Sequence, residues 1–455
     1  MASATTKDMT HGVPWRLIAG FAIPLFLSQL FQQLYNTADS LIVSNFLGDN
    51  ALAAVSASGP LIFLLISFFA GAASGVGVAI ARYFGAGDYD KVSRTVHTAV
   101  LLGLISSLIL TVIGVLFTPT LLLWMDTDPE VLPDAIGYFR CYFAGVGAGV
   151  MYNTFTGIMN ALGDSKRPLY FLLVASFLNI GLDLLCIITF KMGVFGAAFA
   201  TVFSQAVAGL GSLWYILKHY NELRWNKEES RLSRQHCVKL CGMGIPMGLQ
   251  CSITAIGSVV LQGAVNGLGS DIVAAQTAGG KAAQFLSVPL ESIGTAMTTY
   301  ASQNMGAHDL NRVNKGVNTA LGIGCVYSVA SFLILRVLDK ALIGLFLESS
   351  QTEIMANAQS FIFWNSVFYI PLAVLIIYRY TIQGLGYSSL AMFAGVAEMI
   401  ARALVGFLFV PLWGYFAACI ANPVAWFFAC FFLIPAYIVV FRKLKQEKAR
   451  PHANL

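Results

Sequence analysis

Long apolar runs, each closed by a short polar break, follow one another along almost the whole of this chain. A bilayer core of about 30 Å takes about 20 apolar residues of helix at 1.5 Å rise per residue. Runs and breaks predict twelve such helices, at 16–46, 51–82, 93–118, 132–161, 168–190, 194–218, 237–266, 272–303, 316–347, 354–384, 388–410 and 414–441. The breaks carry turn chemistry, as in Gly85-Ala86-Gly87-Asp88, Gly163-Asp164-Ser165, Gly306-Ala307-His308-Asp309 and Gly384-Leu385-Gly386.

Composition supports a chain in lipid. Of 455 residues only 11% are charged and 57% are hydrophobic, where soluble domains run near a quarter charged. The formal net charge of +5 does not imply nucleic acid, because the cations sit between apolar runs and form no aromatic-interleaved stripe. The eight cysteines are scattered, six of them inside predicted spans, and give no disulfide framework. Cys237 and Cys241 lack a second ligand pair, so no metal site is expected. The first apolar run is too long for a signal peptide and is read as a retained helix.

Lysine and arginine set the expected orientation. With both termini cytoplasmic, the inner segments collect Arg16, Arg82, Lys91, Lys166, Arg167, Lys239, Arg312 and Arg442, whereas the outer loops carry Asp49, Asp128, Glu130 and Asp271.

The chain also repeats. Leu47-Gly48 and Ala53-Ala54 recur 221 residues on as Leu268-Gly269 and Ala274-Ala275. Gly85, Ala86, Asp88, Val92 and Val96 recur at the same interval as Gly306, Ala307, Asp309, Val313 and Val317. A gapless interval across two helices and a loop marks an internal duplication. The expected fold is therefore an all-α polytopic membrane protein of two six-helix bundles, related by a pseudo-two-fold axis along the membrane normal. Its parts would be a cytoplasmic N-terminus (1–15), an N-lobe (16–218), a cytoplasmic linker (219–236), a C-lobe (237–441) and a basic cytoplasmic tail (442–455).

Acids within membrane helices are informative, because a carboxylate at the bilayer centre costs about 2.5–3.5 kcal/mol on insertion scales. Asp39, Asp183 and Glu398 qualify. Asp39 and Asp183 each lie about seven residues, or roughly 10 Å, from the outer end of their spans. Thr201 falls in the same layer, and Asn179 one turn deeper on the face of Asp183. If packing brings the two acids together, one must take a proton or the pair must hold a cation. Oxygen-only ligands suit a proton or Na+ and not zinc. The positions 221 after Asp39 and Thr201 are Val260 and Asn422, so this ion site is expected in the N-lobe alone.

Glu398 and Arg402 form an i,i+4 pair whose first reading is mutual neutralisation. Lys281 and Glu291 could line a cavity, although Lys281 can also snorkel. Pro24 and Pro246 are placed one turn inside spans 1 and 7, with Pro24 a candidate hinge coupled to Asp39.

Several stretches together resemble the multidrug and toxic compound extrusion (MATE) transporters, from Pro14 to Arg442. They are Ala38-Asp39-Ser40-Leu41-Ile42-Val43, Gly85-Ala86-Gly87-Asp88, Asn160 to Pro168, Asn179-Ile180-Gly181-Leu182-Asp183, Gly196 to Thr201, and Gln303-Asn304-Met305-Gly306-Ala307. The resemblance implies a V-shaped pair of six-helix lobes that exports amphipathic, often cationic compounds against inward H+ or Na+. It assigns ion coupling to Asp39, Asn179, Asp183 and Thr201 and a hinge to Pro24, as in the prokaryotic branch with an N-lobe ion site. The helix 7 acid of another branch has no counterpart here.

The sequence reading is thus a secondary active antiporter of the cell inner membrane. It would act as a monomer, take a small amphipathic substrate and need no cofactor beyond the coupling ion. A lipid-linked precursor flippase of the same plan is the alternative, and would need a strongly cationic cavity. An intramembrane enzyme is the more distant one, and no catalytic signature for it appears.

Overall fold

The computed structural model describes residues 7–125, 127–220, 223, 234–344, 347 and 352–449. Most of the expected linker 219–236 and the ends of the N-terminus and basic tail lie outside the described residues. All regular elements among the described residues are helical, and every one of the twelve expected runs is helix.

Eight of the runs are single helices: α1 (Pro14–Leu47), α2 (Asp49–Gly85), α3 (Tyr89–Trp124), α7 (Gly193–His219), α8 (Arg234–Asn266), α9 (Ser270–Gly306), α10 (Leu310–Ile343) and α15 (Tyr415–Ala449). Run 4 is broken at Gly145 into α4 (Leu132–Ala144) and α5 (Val146–Ala161). Run 10 is broken at Phe368 into α11 (Thr352–Val367) and α12 (Tyr369–Gly384), with a bend of 54°. Pro371 withholds the N–H that would bond the Val367 carbonyl, which accounts for this second break.

Runs 5 and 11 are alike in a way the apolar pattern does not reveal. α6 (Lys166–Leu184) and α13 (Ser388–Leu404) each end in one π-helical turn, Leu185–Thr189 and Val405–Phe409. The second is followed by the short α14 (Val410–Trp413). Phe190 N–H bonds Leu185 C=O at 3.0 Å, five residues back.

Among the described residues nine helices are singly long and apolar enough to cross a membrane, or ten with the bent pair α11–α12. The pieces α4 and α5 are each too short, and α9 is diluted by Gln276, Lys281, Gln284 and Glu291. α3 has the pattern expected in lipid: Ser93, Gly103, Ser107, Gly114 and Thr118 are buried, whereas Leu108 and Leu116 are each 67% exposed. Helices packing in a bilayer gain from close backbone approach, so small residues go inward and large apolar ones outward.

The chain packs as two compact units, one holding Met1–Asp8 and Pro24–Gly248, the other Met9–Ile23 and Leu249–Leu455. α1 therefore changes unit at Pro24, and α8 does so two residues after Pro246. Pro24 and Pro246 lie ten and twelve residues inside their helices, which begin at Pro14 and Arg234, and not one turn inside as expected. Neither can be a helix opener. Each removes one backbone hydrogen bond from a helix interior.

In the first unit, α8 crosses α2 backbone to backbone. Gly71 and Gly75 on α2 face Gly244 and Gly248 on α8, four apart on each helix. A Cβ on Gly75 would lie 2.6 Å from Gly244 Cα, and one on Gly248 2.6 Å from the Phe68 carbonyl oxygen. The α5–α6 connection is held by Asp164, whose carboxylate accepts from the Lys166 and Arg167 amides at 3.2 Å and from Tyr220 Oη at 3.1 Å. Burial lifts this carboxyl above the usual carboxylate range, against the pull of those three donors.

In the second unit, the segment before α1 is clamped onto the end of α9. Met9 is fully buried, its N–H donating to Gln303 Oε1 at 2.8 Å and its carbonyl accepting from Asn304 Nδ2 at 3.2 Å. Arg312 Nη2 donates to the carbonyls of Met9 at 3.3 Å and Gly12 at 2.7 Å. Gln303 and Asn304 thus satisfy a backbone that has no helix partner of its own.

Candidate functional site

Asp39 arrives on α1, Asn179 and Asp183 on α6, and Thr201 on α7, all within the first unit. α6 and α7 pack tightly along their length, which sets Asn179 against Thr201. With its amide nitrogen toward the acid, Asn179 donates to Asp183 Oδ2 at 3.1 Å and accepts from Thr201 N–H at 3.3 Å. In the opposite orientation its Nδ2 meets Thr201 Oγ1 at 3.4 Å.

Asp183 is fully buried, Asn179 is 1% exposed, and Asp39 is half-buried. The two carboxyl groups face each other within hydrogen-bond contact. Two carboxylates cannot make that contact unless one carries a proton, and a cation between them is the other way to hold them together. Oδ1 of each acid is enclosed and accepts no hydrogen bond, so acceptor capacity remains unused. The four residues singled out from sequence therefore do converge.

The structure adds tyrosines. Tyr35 on α1 lies beside Thr201, Asp39 and Asp183, and Tyr138 and Tyr142 on α4 close the same space. The hydroxyls, carboxyls and amide named around the acids form a set that fits H+ or Na+, and the buried Cys186 thiol is a further neighbour of Asp183. Among the described residues no group of three or more His, Cys, Asp or Glu is placed to hold a metal ion. The site opens into a cavity lined by Tyr35, Tyr142, Asn153, Asn179, Thr201 and Gln205, among others. Among the described residues no lysine or arginine lines it.

The other predicted positions fall elsewhere. Pro24 is buried in α1, where Ser28 Oγ donates to its carbonyl at 2.9 Å. Lys281 is exposed on α9. Glu291, half-buried on the same helix, accepts from Tyr380 Oη at 2.7 Å.

Glu398 and Arg402 are both buried on α13, with Arg402 Nη2 3.4 Å from Glu398 Oε2. Glu398 has a second and closer partner in Arg379 of α12, itself 6% exposed. Arg379 escaped the sequence reading, although a lone cation inside the apolar run 369–384 is the costly kind of exception that marks a purpose. The network continues from Arg402 Nε to Asn422 Oδ1 at 3.1 Å and from Asn422 Nδ2 to Asn365 Oδ1 at 3.3 Å.

Comparison with known proteins agrees with this architecture. The chain is 28% identical over 359 residues to the probable multidrug resistance protein YoeA of Bacillus subtilis, covering 77% of this chain and 78% of that one. It is 25% identical over 370 residues to the FAD transporter of Shewanella oneidensis, covering 80% of each. A crystal structure described as MATE in complex with MaL6 superposes with a TM-score of 0.91 over 97% of this chain and all of that one, at 24% identity. An outward-facing multidrug resistance MATE family transporter of the MOP superfamily gives the same TM-score over 98% of this chain. The MatE family model matches residues 24–185 and 246–408, stretches that begin at Pro24 and Pro246. The chain is a multi-pass membrane transporter and not an enzyme, and it belongs to the MatE family.

Proposed function

We propose that this protein is a secondary active antiporter that exports amphipathic, often cationic drugs or metabolites in exchange for inward H+ or Na+. The observation that carries the reading is the contact between the Asp39 and Asp183 carboxyls at the edge of a cavity with no cationic lining. Binding of the ion neutralises the pair, α1 bends at Pro24, and substrate affinity in the cavity falls. Substrate must then weaken ion binding by the same factor. The two arms of the cycle are the covalent halves 16–218 and 237–441, in a monomer of the cell inner membrane with both termini cytoplasmic.

The flippase alternative would call for arginine or lysine to meet a pyrophosphate, and this cavity offers Gln, Asn, Thr and Tyr instead. The Shewanella relative is an FAD transporter, which makes an anionic dinucleotide the second substrate to try.

The test is export of a cationic dye, and separately of FAD, from proteoliposomes under isolated Na+ and pH gradients. Wild type is compared with Asp39→Asn and Asp183→Asn. One gradient should drive wild-type transport, and both variants should lose that drive while still binding substrate. Gradient-driven transport retained by both variants would overturn the assignment of the ion site.

A further inference from the structure

The two halves share local geometry more closely than they share chemistry. α2 and α9 begin at Asp49 and Ser270 and end at Gly85 and Gly306, 221 residues apart at both ends. The N-caps of α3 and α10 are Asp88 and Asp309, whose carboxylates accept from Lys91 N–H at 3.2 Å and Arg312 N–H at 3.0 Å. The fifth helix of each half ends in a π turn, after which Gly193 and Gly414, again 221 apart, take φ of 60° and 59°.

Against this frame the sixth helix of each half carries one equivalent polar position, which a polar side chain of the fifth helix meets. In the first half it is Asn179 of α6 against Thr201 of α7. In the second it is Arg402 of α13 against Asn422 of α15, and Asn422 stands 221 residues after Thr201. The cluster around Arg402 therefore reaches, in its own unit, the counterpart of the Thr201 position of the Asp39–Asp183 site, although Arg402 itself stands two residues beyond Ile400, the counterpart of Asn179.

The charges at the two places are opposite in kind. The first holds two carboxyls facing each other, with only neutral groups around them. The second holds Glu398 between the guanidinium groups of Arg379 and Arg402, and Glu291 of α9 close enough to Arg379 to interact with it. Cys251 of α8 and Tyr380 of α12, whose hydroxyl donates to Glu291 Oε2 at 2.7 Å, are the other titratable neighbours of that group. Two anions and two fixed cations balance there, whereas the first site has an anionic pair that needs a cation from outside. Guanidinium is suited to this because it stays charged and directs its N–H groups to a carboxylate.

We propose that Arg402, together with Arg379, is a tethered cation filling the second half's counterpart of the ion site. Neutral replacement of Arg402 then converts Glu398 into a second site for H+ or Na+. The inference rests on the ion-site reading of Asp39 and Asp183 and extends it: only one half of the transporter takes up an ion because the other carries its own.

The test is infrared spectroscopy of the full-length protein in lipid nanodiscs, following the carboxylic-acid carbonyl band during pH sweeps with and without Na+. In Asp39→Asn/Asp183→Asn the band of the first site should vanish. Adding Arg402→Gln should bring back one protonatable, Na+-sensitive carboxyl per chain, and adding Glu398→Gln should remove it again. No new carboxyl in the triple variant would overturn the proposal. A Na+-sensitive band that persists in Asp39→Asn/Asp183→Asn overturns the ion-site reading itself, whereas bands insensitive to Na+ belong to other carboxyls such as Asp164; the step from three to four substitutions still reports on Glu398.

Should Arg402→Gln fail to fold, Arg402→Lys keeps a fixed charge and should gain no site; a gain there refutes the idea. Comparison of wild type with Glu398→Gln closes the test. The difference should contain a carboxylate signal and no acid band, and a titrating acid band from Glu398 in the wild type would be fatal.

Discussion

Replacing Gly75 by alanine puts a methyl carbon 2.6 Å from both the Met243 carbonyl oxygen and Gly244 Cα. Non-bonded carbon contacts are comfortable at about 3.5–4.0 Å, so the crossing of α2 and α8 must open locally by about 1 Å. Both obstructing atoms are backbone, and neither can rotate away. Overpacking of this kind costs about 1–3 kcal/mol, while alanine in place of glycine returns about 1 kcal/mol of helix propensity.

Gly242 supplies the control, since it lies on α8 itself and a Cβ there meets nothing within 4 Å. Gly242→Ala should match or exceed wild type in thermal midpoint, and Gly75→Ala should fall below it. The gap between the two should correspond to the steric cost of about 1–3 kcal/mol. Intrinsic tryptophan fluorescence of the purified protein on heating, with size-exclusion profiles before and after, gives the ranking. Equal midpoints for the two variants would refute the claim that glycine is needed for backbone contact at this crossing.

Two further outcomes follow from contacts at the helix ends. Because Asp164 is held above its unfolded value of about 3.9, the folded state binds the extra proton. Stability should therefore rise as pH falls from above the folded value toward about 4, and Asp164→Asn should flatten that part of the thermal-midpoint profile. Asn304→Ala removes the donor to Met9 C=O and to Tyr300 C=O, at 3.2 and 2.8 Å. The loss should be about 1–3 kcal/mol, with faster maleimide labelling of a Met9→Cys probe; unchanged labelling would show that Gln303 and Arg312 hold the segment alone.

Much of this molecule is written in its apolar rhythm, because length and polarity breaks respond directly to a fixed bilayer thickness. The twelve runs became helix on that account. The depth argument that grouped Asp39, Asn179, Asp183 and Thr201 worked for a related reason, since rise per residue converts sequence distance into level within the membrane.

What failed to show were features that depend on which face meets which. Tyr138 and Tyr142 look like ordinary aromatic packing until α4 is seen to turn them toward Asp39. Arg379 sits nineteen positions before its partner Glu398, and no periodicity joins residues on separate helices. The π turns leave composition unchanged, and Pro24 and Pro246, eight and nine residues past the expected starts at 16 and 237, already stood more than two turns inside their runs.

The shared π turns also order events in time. A π turn corresponds to one extra residue in an α-helix, and such an insertion at equivalent places, followed by glycines of matching φ, is most simply inherited once. The ancestral half-length chain then already had this kinked fifth helix before it was copied. The acids and the arginines stand at different positions of the repeat: the residues 221 after Asp39 and Asp183 are Val260 and Leu404, and those 221 before Arg379 and Arg402 are Ile158 and Gly181. Architecture was settled in the single copy, and each half then carries its charged groups at positions of its own.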